Sequence, residues 1–256
     1  AAWEARQVAQ SNDHKRLCML FRSGAVELWS TESGTKLSAR RFARMPDQLR
    51  AASGGCAVLT GSEVMLVRPH DEATALAAGA VAIGGAGDAL LVASHSEVRQ
   101  FVAGAVAARW PIGGGVTAMT VVGERLVVGY ANGSIEVHDA KTSAAIQLER
   151  TPASRPAVLL AGPRGLIFAG FSNGTLGAWN SLDGSRLRAA RLHGRIAHMQ
   201  VSQQRLFVAS ALGQSLRWDL QSFHLPYCAF MQLLWKRVGV TWQAGEAVES
   251  PPPNHA

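Results

Sequence analysis

Three cysteines, two tyrosines and 17% charged residues leave the 256-residue chain short of several kinds of chemistry. Three cysteines cannot all pair, which points to a reducing compartment and a cytoplasmic location. The uncharged run from Ala73 to Gly87 is short and mostly Ala and Gly. A spanning helix needs ~20 strongly apolar residues, so no membrane segment is expected. The chain opens on Ala1-Ala2-Trp3 with no Met and no signal segment, which reads as a piece of a longer or processed chain. No helical pattern appears before Trp218.

Hairpins are what the chain has instead. Arg125 to Asp139, RLVVGYANGSIEVHD, reads as strand, tight turn at Asn132-Gly133, strand. Asn-Gly between alternating apolar runs is a strong hairpin signal, because both turn residues must accept positive φ. The pattern recurs from Arg16, Gly55, Ala89, Gly165 and Arg205. The second strand of each copy closes at Trp29, Val67, Phe101, His138, Trp179 and Trp218. These positions recur at roughly 40 residues, and that period with about four short strands per unit is the signature of a β-propeller blade.

The first unit reads as strands near Glu4 to Gln10, Leu17 to Phe21, Ala25 to Ser30 and Thr35 to Arg41. The fourth has Val116 to Val121, Leu126 to Tyr130, Ser134 to Asp139 and Ala144 to Leu148. The fifth has Ala157 to Ala161, Leu166 to Phe171, Thr175 to Asn180 and Ser185 to Arg191. Units two and three are degenerate but keep the spacing. The sixth has three strands (Ile196 to Val201, Leu206 to Ser210, Ser215 to Asp219) and then departs from the pattern. Cys18 and Cys56 both read as falling at the repeat position filled elsewhere by Leu90, Val127, Phe168 and Phe207. They are expected to be small buried hydrophobes rather than nucleophiles.

The units resemble WD40 repeats. The Trp-Asp that closes the third strand in that family survives as Trp218-Asp219 and is weakened to Trp29-Ser30, His138-Asp139 and Trp179-Asn180. The family's Gly-His before the first strand is absent, and Asn132 and Asn173 replace its turn Asp. PQQ-type quinoprotein propellers share turns such as SLDGSRL. The resemblance implies an all-β propeller of six four-stranded blades over residues 1–222, or seven blades if the chain is truncated.

Residues 223–256 form a second region. Pro226 suits a helix start, Gly239 its end, and Phe230, Leu233, Leu234 and Val238 recur at helical spacing. Such an apolar helix must be covered, and it is expected to dock where the last blade lacks a fourth strand. A short hairpin (Val240 to Trp242, Ala247 to Glu249) and a Pro-rich end follow. This tail faintly resembles those of bacterial propellers that accompany MoxR-type ATPases, which implies a bacterial ATPase-containing complex as a partner.

Motif matches dissolve once they are placed on the repeat. Gly170-Phe171-Ser172-Asn173-Gly174 fits a nucleophile elbow, which needs a strand followed by a helix. Here it is a hairpin turn, and the fourth unit has Ala131 where Ser172 stands. Gly113-x-Gly115-x-x-Ala118 fits a dinucleotide fingerprint but lies in a loop between blades. The eight histidines show no metal-ligand spacing, and His138 is expected to be a packed aromatic at the Trp position. No catalytic residue, cofactor or metal is expected.

Net charge is +7, with Arg far outnumbering Lys, as a high-GC bacterial genome writes its cations. In a WD40-like blade the connections after the second and fourth strands share one face. Arg22, Arg44, Arg150, Arg155 and Arg195 fall there, with Arg40, Arg41 and Arg191 approaching it and only Asp47 and Glu149 opposing. The other face collects Asp13, Glu32, Asp71, Glu72, Asp88, Glu124 and Asp183 against Lys15, Lys141 and Arg164. A clustered positive field steers acidic partners. Nucleic acid is disfavoured because the patch lacks interleaved aromatics to stack bases. The expected function is a non-catalytic protein-interaction scaffold that takes acidic protein segments on the arginine face. The alternative is a propeller enzyme or cofactor binder, quinoprotein-like or lactonase-like, with its site in the central channel; the inner strands offer mainly Ala118, Thr120, Ala157 and Met199 there.

Overall fold

The computed structural model describes residues 4–11, 13–52, 54–70, 73–86, 89–139, 142, 144–224, 232, 240–243 and 246–249. Six antiparallel sheets follow one another along the chain, each ordered as its strands occur in sequence. The first holds β1 (Ala5–Gln10), β2 (Arg16–Phe21), β3 (Ala25–Ser30) and β4 (Lys36–Arg41). The second holds β5 (Gln48–Ala52), β6 (Gly55–Thr60), β7 (Glu63–Val67) and β8 (Thr74–Ala78). In the third are β9 (Ala82–Ala86), β10 (Ala89–Ala93), β11 (Glu97–Val102) and β12 (Ala105–Pro111). The fourth has β13 (Val116–Val122), β14 (Arg125–Tyr130), β15 (Ile135–Asp139) and β16 (Ala145–Gln147). The fifth has β17 (Pro156–Ala161), β18 (Leu166–Phe171), β19 (Thr175–Asn180) and β20 (Arg186–Arg191). The sixth has three strands among the described residues, β21 (Ile196–Ser202), β22 (Arg205–Ser210) and β23 (Ser215–Asp219). A separate hairpin joins β24 (Val240–Gln243) to β25 (Glu246–Glu249). The expected helix between Pro226 and Val238 lies outside the described residues.

First strands of successive sheets lie side by side from β1 to β21, so the sheets are blades of a β-propeller. Burial explains the sequence of each strand. The second strands of the second, third and fifth blades are packed on both faces, hence the continuous apolar runs of GCAVLT, ALLVA and LIFAGF. Outer strands such as β4 and β20 carry arginines on largely exposed residues, which discourages pairing at the rim. The degenerate second and third units form complete four-stranded blades, because register needs only turn spacing and an apolar inner pair.

Five apolar cores fill the five seams between consecutive blades. Leu28 and Val58 meet in the first, Leu66 and Ile83 in the second, and Leu91 and Met119 in the third. Val127 and Leu159 meet in the fourth, Phe168 and Met199 in the fifth. Polar ties stitch the inner strands as well. Gln7 Oε1 accepts from Leu49 N–H at 2.8 Å, Gln48 Oε1 accepts from Ile83 N–H at 2.9 Å, and Thr117 Oγ1 donates to Pro156 O at 2.9 Å.

Two expectations are corrected. Cys18 and Cys56 are bonded to each other across the first seam, with their Cα atoms 5.7 Å apart. They do not share a repeat position: Cys18 pairs in register with Leu28, but Cys56 with Val67, the counterpart of Trp29. One residue of offset puts them on opposite faces of their strands, so each points into the same seam. The turn of the second unit is one residue shorter than that of the first, and this hides the offset. Since a pair does form, the cysteine count no longer speaks for a reducing compartment.

The other correction concerns Asn132-Gly133. Only Gly133 takes positive φ, at 95°. Gly133 N–H donates to Tyr130 O at 3.0 Å, while Asn132 Oδ1 accepts from Ser134 N–H at 2.9 Å. This is a three-residue loop closed by a left-handed glycine, in which the asparagine side chain braces the turn.

Candidate functional site

Backbone bonds between neighbouring turns define one end of the propeller. Phe42 N–H donates to Gly24 O, Ala131 N–H to Gly115 O, Ser172 N–H to Arg155 O and Ala211 N–H to Arg195 O, all at 2.8–3.1 Å. Each bond joins a second-to-third-strand turn to a connection between blades, so these loops form a collar held by main chain.

Four of the five sequence-predicted arginines lie on this collar and are exposed: Arg22, Arg44, Arg155 and Arg195. Arg150 is exposed but does not join them: Arg186 donates to its carbonyl, and Glu149 N–H beside it donates to Gly184 O, in the β19–β20 turn that carries Asp183 at the opposite end. Arg22 is paired with Glu4 at 3.1 Å, a carboxylate that chain order alone did not bring to this end. Among the described residues Arg44, Arg150, Arg155 and Arg195 make no ion pair. The backbones of Arg155 and Arg195 are fixed by the collar bonds, whereas their side chains face solvent. Asp47, expected to oppose them, accepts from Gly61 N–H at 3.0 Å through Oδ2.

The opposite end binds its own charges. Asp13 accepts from Ser11 Oγ and Lys15 N–H, and Asp183 accepts from Ser185 N–H and Oγ at 2.9 and 2.7 Å. These hydrogen bonds hold both carboxyls below the usual aspartate range. Glu32 pairs with Lys15 at 3.2 Å, and Asp139 with Arg125 at 3.7 Å. Asp71, Glu72, Asp88 and Lys141 lie outside the described residues.

One cluster on the collar was missed. Glu136 Oε2 lies 3.0 Å from Tyr130 Oη and 3.1 Å from His138 Nε2 on the same blade. His138, expected only as a packed aromatic, is packed and also bound to this carboxylate. Burial, and then the Glu136 charge, pushes the Tyr130 hydroxyl well above its ordinary range, so it stays a donor. Tyr130 and Glu136, but not His138, line a cleft of about 390 Å³ that is bounded by Gly113 to Gly115, Asn132 and Ser134. The cleft can accept a donor or cation from a ligand, but it sets no nucleophile beside His138: Ser134 Oγ is engaged by Asn132 Oδ1 at 2.7 Å. The signal was available in sequence, since Glu136 and His138 are two apart on one strand and share a face.

The remaining motifs sit as the repeat required. Ser172 lies in a β18–β19 hairpin turn with its Oγ 2.9 Å from Ser154 Oγ, and Gly113 to Gly115 form a loop between β12 and β13. Among the described residues no three His, Cys, Asp or Glu side chains gather as a metal-binding group. Thr120 is buried on its inner strand and donates to Gly85 O at 3.4 Å. Arg50, on the innermost strand of the second blade, donates to Leu49 O at 2.8 Å, and burial disfavours its charged form. No helix among the described residues is long and apolar enough to cross a membrane.

No protein-family model matches the sequence, and no curated protein matches it. Solved structures do share the fold. The computationally designed Ika8 protein superposes with a TM-score of 0.63 at 15% identity, over 85% of this chain and 73% of its own. Kluyveromyces lactis Hsv2 gives 0.57 at 11% identity, over 83% and 72%. At these identities the likeness speaks for the propeller alone.

Proposed function

We propose that the chain is a non-catalytic protein-interaction module, WD40-like in its repeat, whose arginine collar takes acidic protein segments. The observation behind this reading is that Arg44, Arg155 and Arg195 are exposed, share one rigid end and lack local carboxylate partners among the described residues. Unpaired cations on fixed loops keep their field for a partner and lose little freedom on binding. The channel alternative is less supported, because the inner strands knit to one another through Gln7, Gln48, Thr117 and Thr120 rather than presenting reactive groups. An ATPase-containing complex remains a partner suggested only by the tail.

The Cys18–Cys56 bond favours an oxidising compartment over the cytoplasm that the cysteine count suggested. The reading is tested by fluorescence anisotropy of a labelled glutamate-rich peptide titrated with the protein at 50 and 300 mM salt. Saturable binding that weakens at least tenfold at the higher salt supports the reading; equal binding of a neutral peptide of the same length overturns it.

A further inference from the structure

Six blades make five packed seams, and the sixth seam behaves differently. The third residue of each second strand faces the next blade. Register makes Cys18, Ala57, Leu91, Val127, Phe168 and Phe207 equivalent. The first five are 0% exposed, while Phe207 is 42% exposed. On the side facing the previous blade, Val8, Leu49, Ile83, Met119, Leu159 and Met199 are equivalent on the first strands. Five of these are at most 8% exposed; Val8 is 53% exposed. In a ring of blades these two open positions belong to the seam between the last blade and the first. Sequence has kept both apolar, as for a covered surface.

The period says what covers it. Strands β14, β18 and β22 begin at Arg125, Leu166 and Arg205, and their registered partners are Asp139, Asn180 and Asp219. Successive starts are one blade period apart, and Glu246, which begins β25, comes one further period after Arg205. The β24–β25 hairpin turns over two residues, between Gln243 and Glu246. The hairpins β13–β14 and β21–β22 turn over two residues as well, between Val122 and Arg125 and between Ser202 and Arg205. The hairpin thus has the spacing and turn length of a first-to-second-strand unit, one period after that of the sixth blade.

We propose that β24 and β25 are the inner half of a seventh blade and fill the gap between the sixth and first blades. In that register Val248, itself 40% exposed, takes the place of Phe207 and would meet the first blade. Val248 and Leu17 then occupy the positions that Cys18 and Cys56 hold in the first seam.

That equivalence supplies the test. In a Cys228→Ser background, the full chain carrying Leu17→Cys and Val248→Cys is oxidised at low micromolar concentration and its cross-links are mapped by mass spectrometry. The proposal expects an intramolecular Leu17–Val248 bond in most molecules, with Cys18–Cys56 intact. The paired control, Leu17→Cys with Phe207→Cys, is expected to stay reduced, because the hairpin separates those positions. A bond in the control would mean that the sixth blade meets the first directly, and a disulfide-linked dimer would mean that a second copy fills the gap; either overturns the proposal. Should the variants fail to fold, hydrogen exchange of the unsubstituted chain decides. Protection of the amides of 240–249 by at least 100-fold supports docking, and exchange at the free-peptide rate overturns it.

Discussion

The two ends of the propeller use charge in opposite ways. At the far end, Asp13 and Asp183 brace turns, Glu32 is paired with Lys15, and Asp139 with Arg125. Those acids belong to the fold. At the collar end, Asn132 and Asn173 brace turns by accepting from Ser134 and Thr175 N–H, and Asp47 alone among the acids noted there does the same, for Gly61 N–H. Among the described residues Arg44, Arg155 and Arg195 have no carboxylate partner, while Arg22 is paired with Glu4. A net count of +7 hides this. Charge that the fold has used cannot recruit a partner, whereas charge displayed on a rigid loop can.

The comparison breaks most severely if the collar loses its geometry. Gly174 sits at φ 84°, and a Cβ there would lie 2.1 Å from Leu192 O and 2.7 Å from Gly194 O. Gly174→Val should cost at least ~3 kcal/mol through strain and clash, seen as a lowered urea midpoint, and should weaken acidic-peptide binding with it. Next in size is the disulfide, which closes a loop with a sequence separation of 38. Replacing Cys18 and Cys56 by alanine should cost about 2–4 kcal/mol. Because the bond lies in a seam and not at the collar, peptide affinity measured well below the melting point should be unchanged.

Charge reversal sharpens the contrast further. The Arg44/Arg155/Arg195→Glu variant should keep its melting temperature within a few degrees while losing about 2 kcal/mol of peptide affinity, since such charges are worth little to stability but steer a partner. The smallest effect is acid dependence at the far end. Asp13 and Asp183 have folded values below the ordinary one, so their support is complete above pH ~4 and fades as pH falls through the lowered values. Melting curves between pH 2.5 and 6 should show Asp183→Asn less acid-sensitive than the unsubstituted protein.

Most of the architecture was legible because propeller order is local. Turn residues at a fixed period set each hairpin, and the apolar run LIFAGF announces a strand packed on both faces. What failed was single-residue register. Aligning turns of different length placed Cys18 and Cys56 in one column, although their ladder partners, Leu28 and Val67, differ. The collar arginines were legible because loop ends follow from strand order. The Tyr130–Glu136–His138 cluster was harder to see, since it depends on which faces of two strands meet a cleft. Glu4 beside Arg22 depends on where the first strand starts.

The most direct test sets one end against the other in a single assay. Peptide affinity at 50 mM salt is measured for the unsubstituted chain, for Arg44/Arg155/Arg195→Glu, and for a far-end variant, Asp13→Asn with Glu32→Gln and Asp183→Asn. A loss of about 30-fold in the arginine variant, with the far-end variant within twofold of the unsubstituted protein, is the predicted result. Equal affinities for all three, or a larger loss from the far-end variant, would contradict it.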